Sequence, residues 1–291
     1  MKKVLFDTDI GNDIDDSLAL AYLLSEPDCA LMGVTTVSGA GQLRAGMVDA
    51  ICRRAGRTDI PIYPGVEQPL LGTQRQPYPR QAERLGRWAH RESFPEGGAI
   101  EFMRRTIREN PGEISLLAVG PMTNIALLFS IDREIPHLLK ELVLMCGDVL
   151  RDGVKAEWNA ICDPLAAAIV YGTEVPVHRS VGLNVTEQVT MDKAEMEKHF
   201  TAPVLEPVRD FAGVWFEHRS TMVYHDPLAA MTLFDDRVCS FKTGSAELVL
   251  PGSPDAGKLR FCEGEGYISV ADSVDAPYAI NKYLKTVNKG S

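Results

Sequence analysis

The chain predicts an α/β protein built on an open, mostly parallel, doubly wound sheet with helices on both faces. Three observations predict it. Residues 1–184 alternate short apolar runs with segments whose apolar positions recur at helical spacing, the pattern of successive βαβ units. Several of the apolar runs are continuous, as strands covered on both faces must be. Polar, glycine-containing clusters follow the runs, at the carboxyl ends of strands where such sheets bind ligands.

The elements follow in order. Lys2-Lys3-Val4-Leu5-Phe6 reads as the first strand. The helix carrying Ser17-Leu18-Ala19-Leu20-Ala21-Tyr22-Leu23-Leu24 stops at Ser25-Glu26-Pro27. Residues 30–37 read as a buried strand, turned by Ser38-Gly39-Ala40-Gly41 into a helix over about 42–56. Residues 60–65 form a short strand and turn. Residues 66–98 are polar, with proline and arginine interspersed in Gln74-Arg75-Gln76-Pro77-Tyr78-Pro79-Arg80. A segment this long without regular structure marks an active-site loop or lid. Ala99–Glu109 is a helix stopped by Asn110-Pro111-Gly112, and 114–119 a buried strand. Gly120-Pro121-Met122-Thr123-Asn124 opens the next helix. Glu141–Met145 is a strand, 146–158 a loop, 163–171 a helix and 175–184 a strand segment. Residues 192–234 read as mainly helical. The stretch 240–271 alternates as short strands, at 246–250 and 267–270, and a helix over 277–286 closes the chain. No repeat, low-complexity tract or linker interrupts it, so one domain is expected over residues 1–291.

Composition bounds the function. Thirty Lys and Arg against forty Asp and Glu give a net charge of −10, which argues against nucleic acid or an anionic membrane as partner. A carboxylate-rich site favours a neutral or cationic substrate over a polyanion. Six cysteines are scattered without a C-x-x-C pair, as reduced, mostly buried thiols would be. The N-terminus enters a strand directly, and no apolar run reaches 18 residues. The expected compartment is cytoplasmic.

The strongest chemical signal lies between the first strand and the first helix. Asp7, Asp9, Asp13, Asp15 and Asp16 crowd ten positions there, and Gly11 permits the turn. Asp7 and Asp9, two apart on an extended chain, share one face. Acids at a helix start serve as caps and complement the helix dipole, which accounts for Asp13, Asp15 or Asp16. It does not account for Asp7 and Asp9 at the end of a buried strand. Carboxylates this close repel unless a cation sits among them, and oxygen-only ligands select a hard ion, Ca²⁺ or Mg²⁺.

Asp7-Thr8-Asp9-x-Gly11 followed by Asp15-Asp16-x-Leu18-Ala19 resembles the N-terminal fingerprint of the inosine-uridine nucleoside hydrolase family, whose members cleave the N-glycosidic bond of ribonucleosides around Ca²⁺. Three further blocks resemble the family in its order. Gly120-Pro121-Met122-Thr123-Asn124 matches a Gly-Pro-Leu-Thr-Asn motif; read alone, it is a proline-started helix with a threonine cap. Glu157-Trp158-Asn159 with Asp163-Pro164 matches a Glu-Phe-Asn…Asp-Pro block; read alone, Asp163-Pro164 caps and starts a helix. His225-Asp226-Pro227 matches a His-Asp-Pro motif. The four blocks span residues 7 to 230.

The resemblance implies a Ca²⁺ ion held by Asp9, Asp16, Asp226 and the Thr123 carbonyl. It implies Asp9 as general base, His225 as proton donor to the base, and Asp15, Glu157, Trp158 and Asn159 as substrate-binding residues. It also implies ribose and free base as products, and a homo-oligomer, dimer or tetramer. The chain departs from the family in four places. Three residues, Asn12-Asp13-Ile14, stand where the family has one, so Asp13 competes with Asp16 for a ligand place. Gly39-Ala40 replaces Gly-Asn, removing an amide that contacts ribose. Leu150-Arg151-Asp152-Gly153-Val154-Lys155 lacks the asparagine that reads the 5′-hydroxyl. The second family histidine has only His90 as counterpart. Rival readings are another metal-assisted hydrolase such as a phosphoesterase, an N-ribosyl hydrolase whose Arg151 or Lys155 meets a 5′ substituent, and a non-catalytic Ca²⁺/ribosyl-binding protein.

Overall fold

A computed structural model describes residues 1–150 and 155–289. Its strands are β1 (Lys2–Thr8), β2 (Cys29–Thr36), β3 (Ile62–Pro64), β4 (Ile114–Ala118), β5 (Glu141–Met145), β6 (His178–Val181), β7 (Thr190–Asp192), β8 (Thr221–Val223), β9 (Cys239–Leu248), β10 (Leu259–Glu263) and β11 (Ile268–Val274). Its helices are α1 (Asp15–Ser25), α2 (Gly41–Arg54), α3 (Ala99–Glu109), α4 (Thr123–Ile131), α5 (Ile135–Leu138), α6 (Trp158–Cys162), α7 (Pro164–Tyr171), α8 (Leu183–Thr186), α9 (Lys193–His199), α10 (Leu205–Trp215), α11 (His225–Thr232) and α12 (Ala276–Val287).

A nine-stranded sheet runs β10-β9-β11-β6-β5-β4-β1-β2-β3, and β7 with β8 makes a separate ribbon. β1 pairs in parallel with β2 on one side and β4 on the other. Parallel pairing continues outward to β3, and through β5 and β6 to β11. β9 and β10 extend that edge antiparallel. The chain leaves β1 toward β2 and comes back on its other side as β4, so the β1/β4 boundary is a topological switch point. Ligands bind in the crevice at such a point.

The strand period of two divides the apolar residues between the layers. Val4, Phe6, Leu117, Val119, Val143 and Met145 pack into one core with α1, α2 and α10 to α12. Leu5, Leu116, Leu142 and Leu144 pack into the other with α3, α4 and α7. The sheet is covered on both faces, which is why its central strands read as continuous apolar runs.

Differences from the sequence reading have local causes. The expected strand over 175–184 ends at Val181, because Gly182 opens the one-turn helix α8. β7 and β8 are three residues long, too short to signal themselves in a segment read as helical. β10 carries Arg260 and Glu263 at the sheet edge, so it lacks an apolar run. The polar segment 66–98 holds a 3-10 helix over Arg80–Arg87. All six cysteines are unpaired, and all but Cys262 are buried. Among the described residues, no helix is long and apolar enough to cross a membrane.

Candidate active site

The carboxyl ends of β1, β4 and β5 open into a cavity of about 780 Å³. Its acidic wall is the turn after β1, where Asp9, Asp13, Asp15 and Asp16 line the space together with Asp226 from α11. Ile14 is the N-cap of α1 and Asp15 and Asp16 occupy its first turn, so the partial positive charge of that helix end faces the acids. One carboxylate oxygen from each of Asp15, Asp16 and Asp226 lies within 4.8 Å of the other two, and all three residues are buried. Burial first, then the charges of the neighbouring aspartates, pushes the carboxyls of Asp15, Asp16 and Asp226 well above the usual range. Burial likewise pushes Asp13 up to about 7. Such a cluster binds protons or a cation.

Asp9 lines the same cavity beside these three carboxylates. Its Oδ2 accepts from Gln76 Nε2, and its carbonyl accepts from the wholly buried Arg44 guanidinium. Burial raises the Asp9 carboxyl, and Arg44 opposes the shift. Asp7 stands apart from the cavity lining. It is the register partner of Thr35 and accepts from Thr35 Oγ1 and, at 2.7 Å, from Asn124 Nδ2. The shared face expected of Asp7 and Asp9 does not bring both to the site, because β1 ends between them.

A second wall is built by α6. Glu157, Trp158 and Asn159 line the cavity. The Glu157 carboxylate caps α6, accepting from the backbone N–H of Asn159 at 2.7 Å and of Ala160 at 3.1 Å. Asn159 Nδ2 donates to the carbonyls of Val119 (2.6 Å) and Met145 (3.1 Å), tying α6 to the ends of β4 and β5. Trp158 is 48% exposed, leaving its ring available to a ligand.

A third wall carries His225, Trp215, Arg219 and Leu183. His225 Nδ1 is 2.7 Å from Thr186 Oγ1, and burial lowers its pKa to about 4. The imidazole is therefore neutral at ordinary pH. The Arg219 guanidinium sits 5.5 Å from the Trp215 ring.

Two expected positions differ. Thr123 does not line the cavity. Its hydroxyl donates to Asp163 at 2.7 Å, and Asp163 also caps α7 through the Ala166 N–H. Val119, between β4 and that block, lines the cavity. His90 also lies outside the lining, 2.7 Å from its own loop's Trp88 carbonyl. Arg151 lies outside the described residues, and Lys155 does not reach the cavity lining.

The sequence reading passed over Gln76, Tyr78, Arg75 and Arg80 as individuals, although all four line the cavity from the segment flagged as a possible active-site loop. Trp215 and Arg219 had no signal, since the end of α10 and the loop after it reach the site only through packing. The charge of Arg219 acts on Asp13 and opposes the effect of its burial.

The chain is similar to known proteins over most of its length. The family model described as inosine-uridine preferring nucleoside hydrolase matches residues 4–281. The chain is 32% identical over 310 residues to a probable uridine nucleosidase 2 of Oryza sativa subsp. japonica, covering 95% of this chain and 90% of that one. It is 28% identical over 207 residues to the pyrimidine-specific ribonucleoside hydrolase RihB of Escherichia coli O1:K1 / APEC, covering 64% of this chain and 61% of that one. Its fold is similar to that of a purine-preferring ribonucleoside hydrolase from Gardnerella vaginalis, with a TM-score of 0.82, 23% identity and 98% of each chain covered.

Proposed function

From the premise that the chain belongs to the inosine-uridine preferring nucleoside hydrolase family and is a nucleoside hydrolase acting on ribonucleosides, we propose a Ca²⁺-dependent reaction in which Asp9 is the general base and His225 serves the departing base. The observation that carries this reading is the convergence of Asp15, Asp16 and Asp226 in a cavity also lined by Asp9, Glu157, Asn159 and His225.

The donor set fits a hard cation. Three carboxylates whose ionisation is suppressed by burial, and then by neighbouring carboxylates, gain most from a divalent ion, and their atoms are all oxygen. Asp15, Asp16 and Asp226 would hold it, with Val119, which lines the cavity where Thr123 does not, as a candidate for a main-chain oxygen. When bound, the ion supplies a water of lowered pKa and an anchor for vicinal hydroxyls. Asp9 takes a proton from the attacking water. Glu157 and Asn159 orient the ribose, and the surrounding carboxylates favour the cationic sugar that forms as the C1′–N bond breaks. With Nδ1 engaged by Thr186, His225 has Nε2 left to meet the base.

The acids predict how stability responds to pH. Their folded-state pKa values lie above the ordinary 3.8, at about 7 for Asp13. Between about pH 4 and 7 the native state therefore binds more protons than the unfolded chain. The contribution of this cluster to metal-free stability is fullest below about pH 4 and falls as pH rises through 7. Thermal melting of metal-free protein should show Tm declining from about pH 5 to about pH 8. Added Ca²⁺ should raise Tm more at the higher pH, where protons no longer neutralise the cluster. An equal Ca²⁺ shift at both values contradicts a carboxylate site.

One observation favours a second reading of the substrate. Arg75, Arg80 and Arg219 line the cavity, so a 5′-phosphate, first assigned to Arg151 or Lys155, has other cations to meet. If they read a phosphate, kcat/KM for nucleoside 5′-monophosphates should match or exceed that for inosine or uridine, and Arg219→Ala should lower the ratio about tenfold or more. A hundredfold preference for free nucleosides, unchanged by Arg219→Ala, excludes it.

A further inference from the structure

The segment between β3 and α3 is docked onto the acidic turn by hydrogen bonds that run in one direction. The backbone N–H of Arg80 donates to Asn12 Oδ1 at 3.3 Å. That turns the NH₂ of the Asn12 amide to Gln76, and Nδ2 donates to Gln76 Oε1 at 2.9 Å. Gln76 is thereby fixed in turn, and its Nε2 donates to Asp9 Oδ2. A backbone donor thus determines the orientation of two side-chain amides and, through them, which oxygen of Asp9 is occupied.

The backbone of the segment is held just as firmly. Arg44, with no exposure at all, donates to the carbonyls of Gly39 (2.9 Å), Ile10 (2.9 Å) and Gln76 (3.1 Å), and also to that of Asp9. A Cβ on Gly39 would stand 2.6 Å from the Pro77 carbonyl, and one on Gly11 would stand 2.4 Å from Pro79 Cβ. Backbones approach this closely only at glycine. The turn after β1, the turn after β2 and residues 76–79 are one packed unit.

We propose that Gln76 is a positioning residue for Asp9, and that Asn12, from the lengthened turn, is the part that aims it. The inference rests on the reading of Asp9 as general base. The Gln76 amide holds Oδ2, and so fixes how the Asp9 carboxylate is presented to water. Position 40, where the family pattern has an amide, is alanine here. The amide on Asp9 comes from residue 76, and the turn Asn12-Asp13-Ile14 brings the side chain that orients it.

The test is steady-state kinetics on inosine or uridine with Gln76→Ala, Asn12→Ala and the double variant. Supporting groups of this kind typically contribute 10–100-fold. Gln76→Ala should lower kcat by ~10–100-fold with KM changed far less. Asn12→Ala should lower kcat by a smaller factor in the same direction, and the double variant should be no slower than Gln76→Ala, because the two act in series. Asn12 is only half-buried, so its variant stands if Gln76→Ala does not fold. Unchanged kcat, a loss confined to KM, or fully additive losses would overturn the assignment. A wild type without nucleoside turnover overturns the parent reading and this inference together. Turnover with an unaffected Gln76→Ala rate overturns the inference alone.

Discussion

Replacing Asp9 with asparagine should lower kcat on inosine or uridine by ~10²–10⁴, the usual contribution of a positioned general base. The substitution keeps the side chain's shape and removes its capacity to take a proton. Asp9 stands beside the three converging carboxylates of Asp15, Asp16 and Asp226. The variant should therefore keep most of its Ca²⁺-dependent gain in Tm while losing turnover. Asp16→Asn should lose both, because it removes a carboxylate from the cluster itself. If Asp9→Asn retains more than about a tenth of wild-type kcat, the base is elsewhere. If it loses the Ca²⁺-dependent gain in Tm as completely as Asp16→Asn, Asp9 is also a ligand of the ion, the double role that the family resemblance implies.

His225→Ala should slow purine nucleosides by ~10²–10⁴ and spare a riboside whose leaving group needs no help, such as nitrophenyl riboside. The neutral imidazole, with its pKa lowered to about 4 by burial, holds no proton to release freely near pH 7. It can share its Nε2–H with the departing base as negative charge accumulates there. The benefit therefore grows with the basicity of the leaving nitrogen. Equal losses on both substrates would show that His225 supports the site through Thr186 and gives nothing to the base.

Much of the fold was legible because a sheet buried on both faces must be written in apolar runs. Glu141–Met145 is a strand and Ala99–Glu109 a helix at the expected bounds. What escaped were elements whose existence depends on partners: the ribbon of β7 and β8 and the charged edge strand β10. The site divides the same way. Asp9, Asp15 and Asp16 were legible because they are adjacent in sequence and five acids within ten residues need a physical reason. Asp226, His225 and Asn159 were reached through motif resemblance, since nothing local brings α11 or α6 to the turn after β1. Gln76 was invisible as a partner of Asp9. It arrives from 67 residues away, on a segment whose path is set by Arg44 and by two glycines that admit backbone contact. The Thr123 block lies at the predicted strand end, but Thr123 turns toward Asp163, and Val119 meets the cavity.

The central claim is that this carboxylate cavity hydrolyses ribonucleosides with Ca²⁺. It is tested most directly by measuring reducing sugar released from a panel of nucleosides after chelation and after Ca²⁺ is restored. Ribose should appear stoichiometrically with free base, fall to background with chelator, and return on adding Ca²⁺ in excess. Turnover that persists undiminished in protein shown to be free of bound metal would contradict the account.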